Sequence, residues 1–242
     1  MAPLMTREMH KEFSTKRAEM EKSGAEMAHV FVPVGPIEKG NLPLRILFIG
    51  QALNGKDWGE TTLASFSGSM QKANDTVIGC SPGDGKVGIF WEFVSQIVSG
   101  AYTALDVDLP KSRYNEVVGF SNLAKIGRIE GNPDKSEVHS QAAICVDQLK
   151  YEIEIMRPEV VFVMTGDKHM IKEIFRPVFG PDESFTNNVE DRNQVAFKKM
   201  SGYLVCWTNH PRSLRLEKTW NQTVEWSAKF LADYVGANSR QL

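Results

Sequence analysis

The stretch Arg45-Ile-Leu-Phe-Ile-Gly50-Gln-Ala-Leu-Asn-Gly55 decides the architecture. Four apolar residues between an arginine and a glycine read as a short strand buried on both faces, since such a strand needs no polar alternation. Upstream, Pro33, Gly35, Pro36, Gly40 and Pro43 break any periodic pattern. Downstream, a helix-compatible stretch from Lys86 carries Ile89, Phe90, Phe93, Ile97 and Val98, and Val117, Val118 and Phe120 suggest a second strand. A loop over Ser121 to Arg128 follows. Ser136 is the expected cap of a helix whose apolar positions Val138, Ala142, Cys145, Leu149, Ile153 and Met156 keep the 3.6-residue period until Pro158.

The pattern then repeats. Val160-Val-Phe-Val-Met164 is a third apolar run, a helix is expected near His169 to Phe175, and residues 179–193 read as a long exposed loop. Strands at Val195 to Lys198 and Tyr203 to Trp207 lead to a last helix with Trp220, Val224, Ser227, Leu231 and Val235 on one stripe. Helices alternating with apolar strands predict a three-layer α/β/α fold with a mostly parallel central sheet. The whole chain, 1–242, reads as one domain. Residues 1–40 are its N-terminal helical extension, with Met5, Met9, Phe13 and Met20 at near-helical spacing.

In sheets of this kind ligands bind beyond the carboxyl ends of the strands. Three strand ends carry unusual polar content: Gly50-Gln-Ala-Leu-Asn-Gly55, Ser121-Asn122 and Thr208-Asn-His-Pro211. Composition narrows the field. A formal charge of −2 excludes coating of nucleic acid by bulk charge, so any DNA contact must be local, at Lys125 and Arg128 or at Arg212, Arg215 and Lys218. Cys80, Cys145 and Cys206 lie far apart and form no pair of metal-ligand spacing. No metal is expected. No apolar run reaches membrane-spanning length and the first residues lack a signal-peptide core, so a cytoplasmic protein without membrane association is expected.

Taken in order, these strand ends resemble the uracil-DNA glycosylase superfamily from about Arg45 to Leu216. Ile49-Gly50-Gln51-Ala52-Leu53-Asn54-Gly55 is similar to the water-activating loop written G-Q-D-P-Y-H-G in one branch and G-E-A-P-G in the iron-sulfur branch. Phe66 stands where the family places a phenylalanine that stacks on the flipped base. Phe120-Ser121-Asn122-Leu123, followed by Lys125, resembles the L-N-A-V or T-N-V-V-K segment whose Asn reads the pyrimidine edge. Thr208-Asn-His210-Pro211-Arg212-Ser213-Leu214 resembles the H-P-S-P-L minor-groove loop.

The resemblance implies a uracil-DNA glycosylase-like monomeric enzyme that flips a base out of DNA and hydrolyses its N-glycosidic bond. It implies Gly50, Gln51, Phe66 and Asn122 around the base, and Lys125, Arg128, Arg212, Ser213, Leu214 and Arg215 on DNA, with Leu214 as the wedge. No cofactor is implied, because the iron-sulfur branch needs four cysteines. Bond breaking leaves negative charge on the base and positive charge on the sugar, so a donor and a water-positioning group are required. The resemblance gives the first role to His210. The second departs from the pattern, because the loop carboxylate is Ala52, or Gln51 in the other register; Asn54 is a candidate, as are Asp57 and Glu60 from the next turn.

Asn54 also stands where one branch has a tyrosine that closes the C5 side of the pocket. The base is therefore either uracil or a C5-modified cytosine, such as a sugar-bearing hydroxymethyl derivative, the latter implying defence against phage. Trp58 or Phe66 could close that gap instead. Two other readings remain: a catalytically silent DNA-binding domain of the same fold, supported by the lost carboxylate, and a phosphate-binding small-molecule enzyme. The glycine spacing fits no phosphate-loop fingerprint.

Overall fold

The computed structural model describes residues 3–36, 40–52, 66–78, 88–187 and 195–239. Its sheet contains β1 (Ile46–Gly50), β2 (Val118–Asn122), β3 (Val160–Met164), β4 (Thr186–Asn187), β5 (Val195–Lys199) and β6 (Leu204–Thr208), in the order β2-β1-β3-β6-β5-β4. Strands β2, β1, β3 and β6 are mutually parallel, while β5 runs antiparallel to β6 and β4 antiparallel to β5. The sheet is therefore mixed and mostly parallel. The antiparallel edge is a feature the apolar runs alone do not reveal, since direction leaves no mark on composition. It also shortens the expected loop at 179–193: Asp182–Ser184 forms a 3-10 turn, Phe185 is buried, and β4 follows.

Helices cover both faces. On one side α3 (Ile89–Ala104) and α8 (Trp220–Ser239) place Phe93, Ile97, Trp220 and Leu231 against Ile46, Phe48, Phe162 and Cys206. On the other, α1 (Arg7–Glu21) and α4 (Lys135–Met156) place Phe13, Leu149 and Met156 against Leu47, Ile49, Val161 and Val205. Full burial of one such side chain contributes about 1.5–3 kcal/mol, so these two apolar layers dominate the favourable side of folding. Helix α2 (Phe66–Ile78) follows β1. The helix expected near His169 runs from α5 (Lys168–Met170) through a π-helical turn at Ile171–Phe175 into α6 (Arg176–Phe179). Among the described residues no helix is long and apolar enough to cross a membrane.

Two local expectations are corrected. Helix α4 is capped by Asp134, not Ser136: the Asp134 carboxylate accepts from the Ser136 and Glu137 amides, and Glu137 accepts in return from the Asp134 amide. This reciprocal cap satisfies donors that a serine two residues inside the helix cannot reach. The N-terminal extension is helical only as far as Glu21. Residues 26–34 then run extended and antiparallel along the β2 side, with Ala28 N donating to Gly127 O, Phe31 N to Lys125 O, and Val34 and Phe120 exchanging both backbone bonds. The strap occupies backbone groups that an edge strand would otherwise expose. Phe31, Val32 and Val34 of the strap are fully buried, so this segment belongs to the core.

Candidate active site

The carboxyl ends of the parallel strands bring two of the expected residues into direct contact. Gly50 and Asn122 are register partners at the end of the β1–β2 pair, and the ladder continues beyond them as Leu123 N donates to Gly50 O and Ala124 N to Gln51 O. The Asn122 side chain lies over the glycine: a Cβ on Gly50 would stand 2.6 Å from Asn122 Oδ1 and 3.2 Å from the Phe90 ring. Only a glycine admits this approach. Asn122 is 3% exposed, and its Nδ2 has no hydrogen-bond partner among the described residues. A buried amide with a donor left over is costly to fold, and the cost is offset when a ligand supplies an acceptor.

Gly50→Ala tests this packing. The substitution is expected to destabilise the fold by about 1–3 kcal/mol, because Asn122 and Phe90 must both give way in a dense region. A shift of the urea midpoint measures it. An unchanged midpoint would mean that the amide swings aside freely and is not held over the glycine.

The aromatic ring beside this amide is Phe90, at the start of α3, which contacts Phe120 and Trp91 at centroid separations of 5.4 and 5.1 Å. Phe66 lies elsewhere. It begins α2, packs with the apolar layer on the opposite side of the sheet, and meets His10 edge-on at 5.6 Å with the Arg7 guanidinium above it. The sequence signal for Phe90 was read as helix core, and the missing cue is register: its ring reaches the strand end only because β1 stops on a glycine.

His210 caps α7 (Pro211–Leu216), a helix where the sequence implied a loop. Its Nδ1 accepts from the Arg212 amide at 3.2 Å, which assigns the ring proton to Nε2. Burial, and secondarily the Arg212 charge, lower its pKa from the usual histidine value. The imidazole is therefore neutral at neutral pH and offers one N–H. Pro211 at the first helical position fixes the backbone direction from β6 into the helix.

The helical turn also reassigns the neighbouring side chains. Leu214 is fully buried, on the same inward side as Pro211, and cannot serve as an exposed wedge. Leu216 is the exposed one, at 78%. Arg212 is exposed and Ser213 half-buried. The Arg215 guanidinium pairs with Glu92 at 2.6 Å and stacks over Trp220 at 4.5 Å.

Lys125 is a further correction. Its side chain is completely buried, and Nζ donates to Ser121 Oγ at 2.6 Å, Asn122 O at 2.5 Å and Glu152 Oε1 at 2.9 Å. An ammonium has three donors, and all three are used inside the protein, so none remains for DNA. Arg128 binds Glu137 through two nitrogens and Asp134 through one, and its charge is spent on those carboxylates. Of the expected DNA contacts, Arg212 and Ser213 remain at the surface with no ion pair of their own among the described residues. Asn54, Asp57, Trp58 and Glu60 lie outside the described residues. Ala52 and Gln51 are half-buried just beyond β1.

The backbones that carry Asn122 and His210 are three strand positions apart, from β2 to β6, which is about 14 Å at the usual interstrand spacing. This edge of the sheet carries a buried amide, an aromatic ring beside it and, beyond β6, a neutral imidazole with one N–H. No protein-family model matches the chain, and no curated protein matches it in sequence.

Proposed function

We propose that the protein is a DNA glycosylase of the uracil-DNA glycosylase type, which flips a pyrimidine from DNA and hydrolyses its N-glycosidic bond. The observation that carries this reading is the Asn122 amide, buried over Gly50 with a donor unpaired. An amide presents a donor and an acceptor side by side, which matches the adjacent C=O and N–H of a pyrimidine edge. Phe90 supplies the wall against which a base stacks, worth about 1–3 kcal/mol. His210 Nε2–H supplies the donor that meets the base as it becomes anionic. Ala52 puts no carboxylate at the water-positioning place, so that role falls to Asn54, with Asp57 and Glu60 as the alternatives, and a dissociative reaction tolerates the change at reduced rate.

The DNA-facing surface on this reading is α7 and the turn after it. Leu216 takes the wedge position, and Arg212 and Lys218 flank it. Arg212→Ala is expected to weaken DNA binding evenly across sequences and to reduce the slope of log affinity against log salt by about 1, the loss of one phosphate contact. An unchanged slope would remove Arg212 from the interface.

The deciding experiment is a panel of end-labelled oligonucleotides carrying uracil, cytosine, C5-modified cytosines and modified purines, followed by alkali to cut abasic sites. Cleavage at a pyrimidine, uracil or C5-modified cytosine, is the expected result; preference for the modified cytosine would point to phage defence. Tight binding with no cleavage anywhere would make the protein a silent DNA-binding domain, the reading favoured by Ala52.

A further inference from the structure

A second polar atom at the same edge of the sheet shares the condition of the Asn122 amide. Thr208, the last residue of β6, is 2% exposed, and its Oγ1 has no hydrogen-bond partner among the described residues. Its backbone is held independently, with the carbonyl accepting from Thr165 N at 2.9 Å, and no described residue bonds the hydroxyl. Valine has almost the same shape and carries no desolvation penalty in such a place.

Register places the two groups on one face. Side chains alternate along a strand, and Val118, Phe120, Ile46, Phe48, Val160, Phe162, Leu204 and Cys206 all point into the layer beneath α3 and α8. Asn122, Gly50, Met164 and Thr208 continue those four series as the last row of the parallel sheet. The Asn122 amide leans over Gly50, and Gly50 is two strand spacings from Thr208. That separation is about 10 Å, with Met164 between them in the row, so a flat ring reached by both groups lies over Met164.

Resting on the glycosylase reading, we infer that Thr208 is a second substrate-contacting residue, whose hydroxyl donates to the 2-carbonyl oxygen of the flipped pyrimidine while Asn122 reads the opposite edge. In the reaction the bond from the sugar C1′ to base N1 breaks, and its electron pair stays on the base, shared between N1 and O2. Water oxygen bonds to C1′, and its proton passes through solvent to the departing base. The O2 atom has two lone pairs, so it accepts from Thr208 and from the His210 N–H together. Thr208 thus carries part of the charge stabilisation, and it favours bases with a carbonyl at that position over purines.

Thr208→Val and Thr208→Ser test the inference against wild type. Three readouts are needed: thermal denaturation, single-turnover excision, and calorimetric binding of free uracil, cytosine and adenine. The valine variant is expected to melt at or above the wild-type temperature, to lose excision by about 10²-fold, and to bind uracil and cytosine more weakly. The serine variant restores both functions. Unchanged excision and pyrimidine binding in the valine variant overturn the inference, and so does a valine variant that is simply less stable. If wild type cuts no oligonucleotide yet binds free pyrimidines through Thr208, the glycosylase reading fails and the contact stands. If wild type binds no pyrimidine, the contact fails whatever the cleavage result.

Discussion

On the glycosylase reading, His210→Ala is expected to lower single-turnover base excision by about 10²–10³-fold while DNA affinity stays within a few fold. The argument rests on the cap geometry. Because Nδ1 is occupied by the Arg212 amide, the ring proton sits on Nε2, and a neutral N–H is held ready without any rearrangement. Its hydrogen bond to a neutral carbonyl is ordinary and strengthens only as the base takes on negative charge, so the loss falls on the rate and not on binding. The pH profile provides an independent check. Burial lowers the folded-state pKa below the usual histidine value of about 6.5, so the neutral form persists as pH falls through that value. Excision should hold steady through pH 6.5 and decline only below it, where the protonated ring can no longer accept from Arg212 N. A variant that loses affinity and rate equally would make His210 a helix cap and nothing more. A melting curve for the variant separates that case, since the cap serves a helix of only six residues.

The strand ends were legible in the sequence because they follow uninterrupted apolar runs, which have few other interpretations. Ile46 to Gly50 and Val160 to Met164 are strands as expected, and Asn122 stands opposite Gly50 as their shared position at strand ends implies. What the sequence concealed is direction after the strand ends. His210 to Leu216 was expected as an extended loop, in which Leu214 would point outward; wound into a helix begun by Pro211, the same residues turn Leu214 inward and Leu216 outward. Lys125 was expected at the surface because lysines usually are, and its burial depends on Glu152, a residue 27 positions away on α4 whose side chain faces the sheet. Thr208 was grouped with the polar strand end Thr208-Asn-His-Pro211 but given no role, since an unpaired hydroxyl is invisible until every neighbour is placed. Long-range pairing decided Lys125 and Thr208, while the turn of Leu214 follows from the local helix start at His210 and Pro211.

The buried ion pair carries the other large expected effect. Lys125→Met is expected to destabilise the protein by about 3–5 kcal/mol, because removing one partner leaves the other charge buried and uncompensated. The stranded groups can be named. Among the described residues Glu152 Oε1 keeps only the Gln148 amide at 2.8 Å, Glu152 Oε2 is already without a partner, and Ser121 Oγ and Asn122 O each lose a short bond. Gln148 Nε2 also donates to Leu4 O at 2.7 Å, so the disturbance reaches the N-terminal segment as well. The double variant Lys125→Met with Glu152→Leu should recover most of the loss, since a buried pair replaced by apolar groups of similar volume is often neutral or stabilising. Urea denaturation of wild type, both single variants and the double variant closes the cycle. If both singles and the double are equally destabilised, the side chains act by packing and not as a pair. The comparison also separates stability from function. The Lys125 ammonium holds the carbonyl of Asn122 and the hydroxyl of Ser121 from the α4 side of the sheet, while the Asn122 amide projects from the other. A double variant that regains its stability but not its excision rate would therefore mean that the ion pair is kept to aim the amide, and that its cost to the fold is offset at the site.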